Sequence, residues 1–155
     1  MAVQVRIAAL ADCDALATMR AALWPEGSLE EHAAELREIL AGTPPSTLPL
    51  VVWVAEVAGE IGGFVEVGLR SHADGCDPRE AVGFIEGWYV VPAHRGSGIG
   101  RGLIAAAEAW CREQGCKELA SDTWIDNKQS QRAHEALGFE VVDRCVNYRK
   151  VLGPG

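Results

Sequence analysis

A chain of 155 residues, 48% apolar and 23% charged, is long enough for one domain with its own core. Its formal charge of −8 at pH 7 excludes the basic surface that nucleic-acid binding draws on, and suits a cationic small molecule instead. No apolar run reaches the roughly 20 residues of a membrane span, and Arg6 and Asp12 spoil the one N-terminal stretch that resembles an export signal. Five cysteines without a C-x-x-C pair, with four scattered histidines, give no metal-ligand pattern; reduced thiols in a cytoplasm are the plain expectation.

In chain order, residues 3–10 are predicted as a strand and residues 12–24 as a helix with a Leu16, Met19, Arg20, Leu23 stripe, stopped by Pro25. A capping box, Ser28 with Glu31, opens a second helix that closes at Gly42, and 43–49 is a turn-rich connector. Two β-branched runs, 50–59 and 61–70, meet at "AGEIG" as a hairpin. A polar loop, 71–80, leads to a long strand, 81–91, which Pro92 stops. The stretch "GIGRGLIAAAEAWCREQG" reads as a helix with a Leu103, Ala106, Ala107, Trp110 face, ending at Gly115. Residues 117–124 read as a strand, "KQSQRAHEALG" as a short helix capped by Asp126 or Asn127, and 140–152 as a last strand. The fold class is α/β, more closely α+β: a mixed sheet in a single domain over 1–155.

Between the long strand and its helix lies "HRGSGIGRG", with Gly96, Gly98, Gly100 and Gly102 at every second position. Glycine is unfavourable inside regular structure, so four in seven residues need a reason. A strand followed by a helix N-terminus offers backbone N–H groups and a dipole to an anion. No lysine follows as in a Walker loop, and no G-x-G-x-x-G is present. What remains is R-x-x-G-x-G, from Arg95 to Gly100.

The stretch "WYVVPAHRGSGIGRGLI" resembles the acetyl-CoA loop of the GCN5-related N-acetyltransferase superfamily, and "NKQSQRAHEALGFE" resembles that family's next helix and Gly-Phe turn. The resemblance implies a central mixed, mostly antiparallel sheet with a splayed strand pair, flanked by helices. It also implies acetyl-CoA as co-substrate, with no metal. Carried onto this chain, the loop amides of Arg95, Gly96, Ser97, Gly98, Ile99, Gly100 and Arg101 would grip the coenzyme diphosphate. Tyr89, Val90 and Val91 would supply backbone groups of the splayed strand, and Asn127 would touch the coenzyme. In such enzymes a neutral amine attacks the thioester, so the protein positions two substrates, removes a proton and stabilises an oxyanion. Many members carry a tyrosine four residues before the Gly-Phe turn as acid for the leaving thiolate; here that place is His134, which either does the same or complements the helix dipole.

Three further stretches, "RAALWPEG", "GFIEGWYVVP" and "ELASDTWIDN", resemble one branch, the chromosomal-type aminoglycoside 6′-N-acetyltransferases. By position, Trp24, Glu86, Asp122 and Asp143 would line an aminoglycoside site; Glu26, beside the tryptophan, adds a carboxylate. Asp122 would bind the reacting ammonium, accept its proton, or both. A tyrosine that members supply before the coenzyme strand falls on Ala73 or a neighbour. Members are often homodimers through exchange of the C-terminal strand, so a homodimer is expected. The alternatives are a different cationic acceptor, a polyamine or a protein N-terminus, and a non-catalytic acetyl-CoA sensor.

Overall fold

Regular structure begins with a strand that stops early. Residues 2–44 and 47–155 are described by the structure, a computed structural model, and the connector expected at 43–49 lies partly outside them. The first strand, β1 (Val3–Ile7), ends three residues before the sequence pattern does. Arg6 is the reason. It forks onto Asp12 at 2.8 and 3.0 Å, while Asp12 also accepts from the Ala9 amide at 2.7 Å. That clasp turns the chain through a short 3-10 turn, Leu10–Asp12, and the guanidinium holds the Asp12 carboxyl below its ordinary range.

Two compact units follow from the chain's contacts, Met1–Ser121 and Asp122–Gly155. In the first, α1 (Cys13–Leu23) and α2 (Leu29–Leu40) precede the β2 (Leu50–Val57) and β3 (Glu60–Arg70) hairpin. The Ser28 side chain accepts from the Glu31 amide at 3.1 Å, so the expected N-cap is present. Ala58 and Gly59 adopt φ of 52° and 82°, which a tight two-residue hairpin turn needs. Then come β4 (Val82–Val90), α3 (Ile99–Glu113) and β5 (Leu119–Ser121). The sheet order is β1-β2-β3-β4-β5, antiparallel throughout except for the parallel pair β4–β5.

Strand alternation gives the sheet two apolar faces. Val52, Val54 and Phe64 pack under α1 and α2 with Leu16, Met19 and Leu36. On the opposite face, Ile99 and Leu103 of α3 lie over Gly63, and Cys111 lies over Gly83. β5 accompanies β4 only from Gly83 to Ile85. One residue further on, the β3–β4 register slips: Glu66 pairs with Gly87 but Val67 with Ile85, leaving Glu86 as the extra residue of a bulge. The strand expected over 117–124 is therefore three residues long, and β4 runs on alone on that edge.

The second unit contains α4 (Lys128–Ala136), whose N-cap is Asn127 rather than Asp126: its side chain accepts from the Ser130 amide at 3.1 Å. Residues 140–155 form no strand, contrary to the expectation for 140–152. Their β-branched pattern is real, with Val141, Val142, Val146 and Val151 all exposed, but a strand needs a ladder partner and none is present among the described residues.

Gly87 is the tightest joint between β4 and α1: a Cβ there would stand 2.6 Å from Cη2 of Trp24. Gly87→Ala is expected to push the indole aside and lower unfolding free energy by about 1–3 kcal/mol. Urea titration followed by tryptophan emission reads this directly; an unchanged midpoint and spectrum would show that the ring is not seated on Gly87.

Candidate active site

The glycines of the loop serve different ends. Pro92–His94 forms a 3-10 turn after β4, and Gly98 stands at the N-cap of α3 with φ of 87°. Gly96 has φ of 80°, so both occupy the left-handed region that L side chains avoid. Nothing lies within 4 Å of where a Cβ of either would stand. Gly100 is small for packing, since its Cβ would stand 3.1 Å from the Trp88 ring. The first intrahelical bond is Gly102 N–H to Gly98 O at 3.0 Å, so the amides of Ile99, Gly100 and Arg101 precede the helical ladder. Uncovered amides, a helix dipole, and two exposed arginines, Arg95 and Arg101, make a cradle shaped for phosphate.

Beside this loop, no strand among the described residues pairs with the β5 side of β4 after Ile85. Val91 N–H donates to Gly62 O at 2.9 Å on the β3 side. Arg95 folds back, its Nε donating to Val90 O at 2.8 Å and its guanidinium 5.4 Å from the Tyr89 ring. Ser97 Oγ donates to His94 O and closes the loop onto the preceding turn. Tyr89, Val90, Val91 and the loop residues Arg95 to Arg101 are thus brought to one end of the sheet.

A cavity of about 270 Å³ opens on the α1–α2 face of the same strand, and Trp24 and Glu86 both line it. Trp24 is half-buried, seated on Gly87, its carbonyl bonded to His32 Nε2 at 3.0 Å. The bulge re-aims Glu86, and Arg70 fixes it with a two-pronged contact, Nε and Nη2 donating at 2.9 and 2.7 Å. Glu26, by contrast, is exposed and does not line the cavity. Arg20, Glu35 and Glu66 do line it, and the sequence pattern alone did not single them out as site residues. A signal existed: Arg20 within an apolar helical stripe and Glu66 inside "FVEVGL" are opposite charges on faces that pattern as buried. Burial pushes the Glu66 carboxyl up to about 7, with Arg20 opposing and Glu35 and Glu86 adding to the shift.

In the second unit, Asp122 and Asp143 are exposed, and Asp143 accepts from the Arg144 amide at 2.8 Å. His134 has a local structural task. Phe139 N–H reaches back to His134 O at 3.1 Å and Gly138 N–H to Glu135 O at 3.1 Å, with Gly138 at φ of 91°. That is a Schellman turn, and its customary apolar contact is made by the His134 and Phe139 rings, edge to face at 5.2 Å. His134 Nδ1 lies 2.7 Å from Ser130 O, which makes Nδ1 the protonated nitrogen. A His134 that also gives a proton from Nε2 must therefore be imidazolium.

The sheet order, the phosphate cradle at α3 and the uncovered edge of β4 define an acyl-coenzyme-dependent transferase fold. Residues 13–139 match the model of the acetyltransferase (GNAT) family, and the chain belongs to that family. It is 46% identical over 141 residues to an aminoglycoside N(6′)-acetyltransferase type 1 of Serratia marcescens, covering 90% of this chain and 93% of that one. The solved structure of AAC(6′)-Iy with a bisubstrate analogue, CoA-S-monomethyl-acetylneamine, superposes with a TM-score of 0.86 at 34% identity, covering 98% of this chain and 100% of that one. AAC(6′)-Iy in complex with CoA also gives 0.86, at 35% identity, over 96% of this chain and 95% of that one.

Filling the cradle should damage one substrate selectively. Gly98→Val is expected to raise KM for acetyl-CoA about tenfold or more, a loss of about 1.4 kcal/mol, with acceptor KM little changed. Gly102→Ala, whose Cβ would meet only Val5 at 3.4 Å, should be neutral or slightly stabilising. A folded Gly98→Val protein that binds acetyl-CoA normally by calorimetry would contradict the cradle.

Proposed function

We propose that the protein transfers the acetyl group of acetyl-CoA to the 6′-amine of aminoglycoside antibiotics. The observation that carries this reading is the cavity itself: Trp24 and Glu86, residues from α1 and β4 that the branch resemblance assigns to the drug, line one acidic pocket. An aromatic face beside carboxylates suits an aminosugar, and the relatives named above carry that activity in their names.

The open backbone at Gly96 and Gly98 supports coenzyme binding, since diphosphate oxygens can approach the amides of Ile99, Gly100 and Arg101 without meeting a side chain. Acetyl-CoA, when bound, supplies an activated thioester carbonyl to a neutral amine. The chain's own residues then have three tasks. Backbone groups at Tyr89, Val90 and Val91, at and just beyond the end of β4, would hold the coenzyme arm. In the second unit, Asn127 has the coenzyme contact that the family resemblance implies, and its side chain caps α4. By the branch resemblance, Trp24 and Glu86 of the first unit would bind ammonium groups of the drug. Asp122 and Asp143 of the second unit have the same expected task, with Asp122 taking the proton from the reacting amine. Glu26, outside the cavity, has no part in it. His134 acts as the acid only in its imidazolium form, because its Nδ1 proton is committed to Ser130 O.

The family match spans residues 13–139, across both compact units, and supports treating 1–155 as one functional domain. The exposed β-branched run in 140–155, with Tyr148 92% exposed, supports a homodimer in which this segment adds as a strand to a second copy. All five cysteines are free thiols, which suits the cytoplasm, where the coenzyme is found. No helix among the described residues is long and apolar enough to cross a membrane.

Neomycin and paromomycin isolate the reacting group, an amine at 6′ in one and a hydroxyl in the other. The enzyme is expected to turn over neomycin and leave paromomycin unacetylated, because a hydroxyl needs much stronger base activation. A coenzyme-release assay on both, with NMR of the product, checks this. Equal turnover, with acetyl on another amine, would overturn the 6′ assignment.

A further inference from the structure

Arg20, Glu35 and Glu66 form a charged cluster at the floor of the Trp24 cavity that the reading above leaves without a task. Arg20 Nη2 lies 3.3 Å from Glu35, while its Nε is 3.8 Å from Glu66 Oε2, beyond hydrogen-bond length. Arg20 is 4% exposed and Glu66 3%. Arg20 Nε and Nη1 and Glu66 Oε2 have no hydrogen-bond partner among the described residues. Burying a charged carboxylate in this way is costly unless something completes its contacts. Arg20 is committed elsewhere as well, its guanidinium 5.0 Å from the Trp24 ring. With Arg70 counted, the carboxylates Glu35, Glu66 and Glu86 still outnumber the guanidinia three to two. Of the three atoms Arg20 Nε, Arg20 Nη1 and Glu66 Oε2, only Glu66 Oε2 is an acceptor and takes a donor. The excess of carboxylate favours one carrying positive charge, such as an ammonium group whose three donors can span two carboxylates. Arg20 Nε and Nη1 are donors and gain nothing from it.

We propose that Glu66 and Glu35, on either side of Arg20, form a second cation subsite of the Trp24 cavity, which takes an ammonium group of the acceptor other than the one acetylated. This rests on the acceptor being polycationic, as the proposed function has it. Acceptors with several amines are selected over monoamines, because a single ammonium cannot occupy the reacting position and this floor together.

The subsite has a proton signature. Glu66 faces Arg20 from α1, Glu35 from α2 and Glu86 from β4, and its carboxyl is pushed up to about 7 by burial. At pH 7 about half of it carries a proton, and a bound ammonium favours the charged form. Cation binding therefore releases up to about half a proton at pH 7 and none well above the carboxyl's range, where Glu66 is already ionised.

Calorimetry of neomycin binding, in buffers of different ionisation enthalpy, tests this with the full-length wild type, Glu66→Gln and Glu35→Gln. Protonation of the drug's own amines is common to all three proteins and cancels in the comparison. Glu66→Gln is expected to weaken neomycin binding about tenfold or more and to remove the half-proton release at pH 7. 6-Amino-6-deoxyglucose, a monoamine, should bind wild type and Glu66→Gln alike. Should Glu66→Gln fail to fold, weaker binding by Glu35→Gln, whose side chain is 45% exposed, and proton release by the wild type at pH 7 carry the test. Wild-type affinity and wild-type proton release in a folded Glu66→Gln would overturn the subsite, as would equal losses for the monoamine. A parallel coenzyme-release assay separates the two readings: tight binding of neomycin without turnover contradicts acetyl transfer to the drug and leaves the subsite standing. No binding of neomycin by the wild type would overturn both.

Discussion

β5 follows β4 for only three residues, and the site in the first unit depends on what β4 does after they part. Parallel pairing holds Gly83 to Ile85, and the next residue, Glu86, is the extra member of a bulge against β3. Three features of the site cluster at that point of β4. The bulge directs the Glu86 carboxylate to the cavity and its Arg70 clasp. Gly87, directly after it, leaves room for the Trp24 ring. The remaining backbone of β4, through Val90, keeps one edge uncovered beside the glycine loop. A ladder continued along the whole of β4 would take up the backbone groups of that edge in sheet hydrogen bonds.

The two substrates would then be recognised by different physics on opposite sides of the strand. The coenzyme end would rely on backbone: left-handed glycines, unladdered amides and a helix dipole, all nearly independent of side-chain identity. The acceptor end would rely on side chains, an indole and several carboxylates, whose excess over guanidinium has the same sign as the chain's overall −8. Buried Arg20 sits where these meet the core, next to Trp24 and between two carboxylates. Carboxylates crowded around one cation are an expensive arrangement for a fold, and function is the natural reason to keep it.

Much of this was legible in the sequence, for identifiable reasons. Helix boundaries were marked by strong local signals, Ser28 with Glu31 at α2 and Gly115 after α3, and the loop glycines marked the left-handed turn that opens α3. What stayed hidden was long-range. Arg6 looked like a break in an apolar run, yet its pairing with Asp12 ends β1. The bulge at Glu86 depends on register with β3, which no single strand encodes. Glu35, Glu66 and Arg70 come to the cavity from three elements, and only the fold shows that they meet. Residues 140–152 carry a strand pattern that is not a strand within one copy of the chain, because periodicity reports a preference and pairing needs a partner. His134 was readable as either an acid or a complement to the helix dipole; its packing on Phe139 and its bond to Ser130 O are a third, local task that neither reading contained.

The central claim is that backbone amides at the start of α3, rather than side chains, hold the coenzyme diphosphate. Amide NMR of the ¹⁵N-labelled protein titrated with coenzyme A and, separately, with pantetheine addresses it most directly, since pantetheine keeps the thiol arm and lacks the diphosphate. Coenzyme A is expected to shift the amides of Gly98, Ile99, Gly100 and Arg101 strongly, while pantetheine shifts β4 amides near Val90 and leaves the loop unchanged. Equal loop shifts from both ligands, or a loop indifferent to coenzyme A at saturation, would contradict the claim.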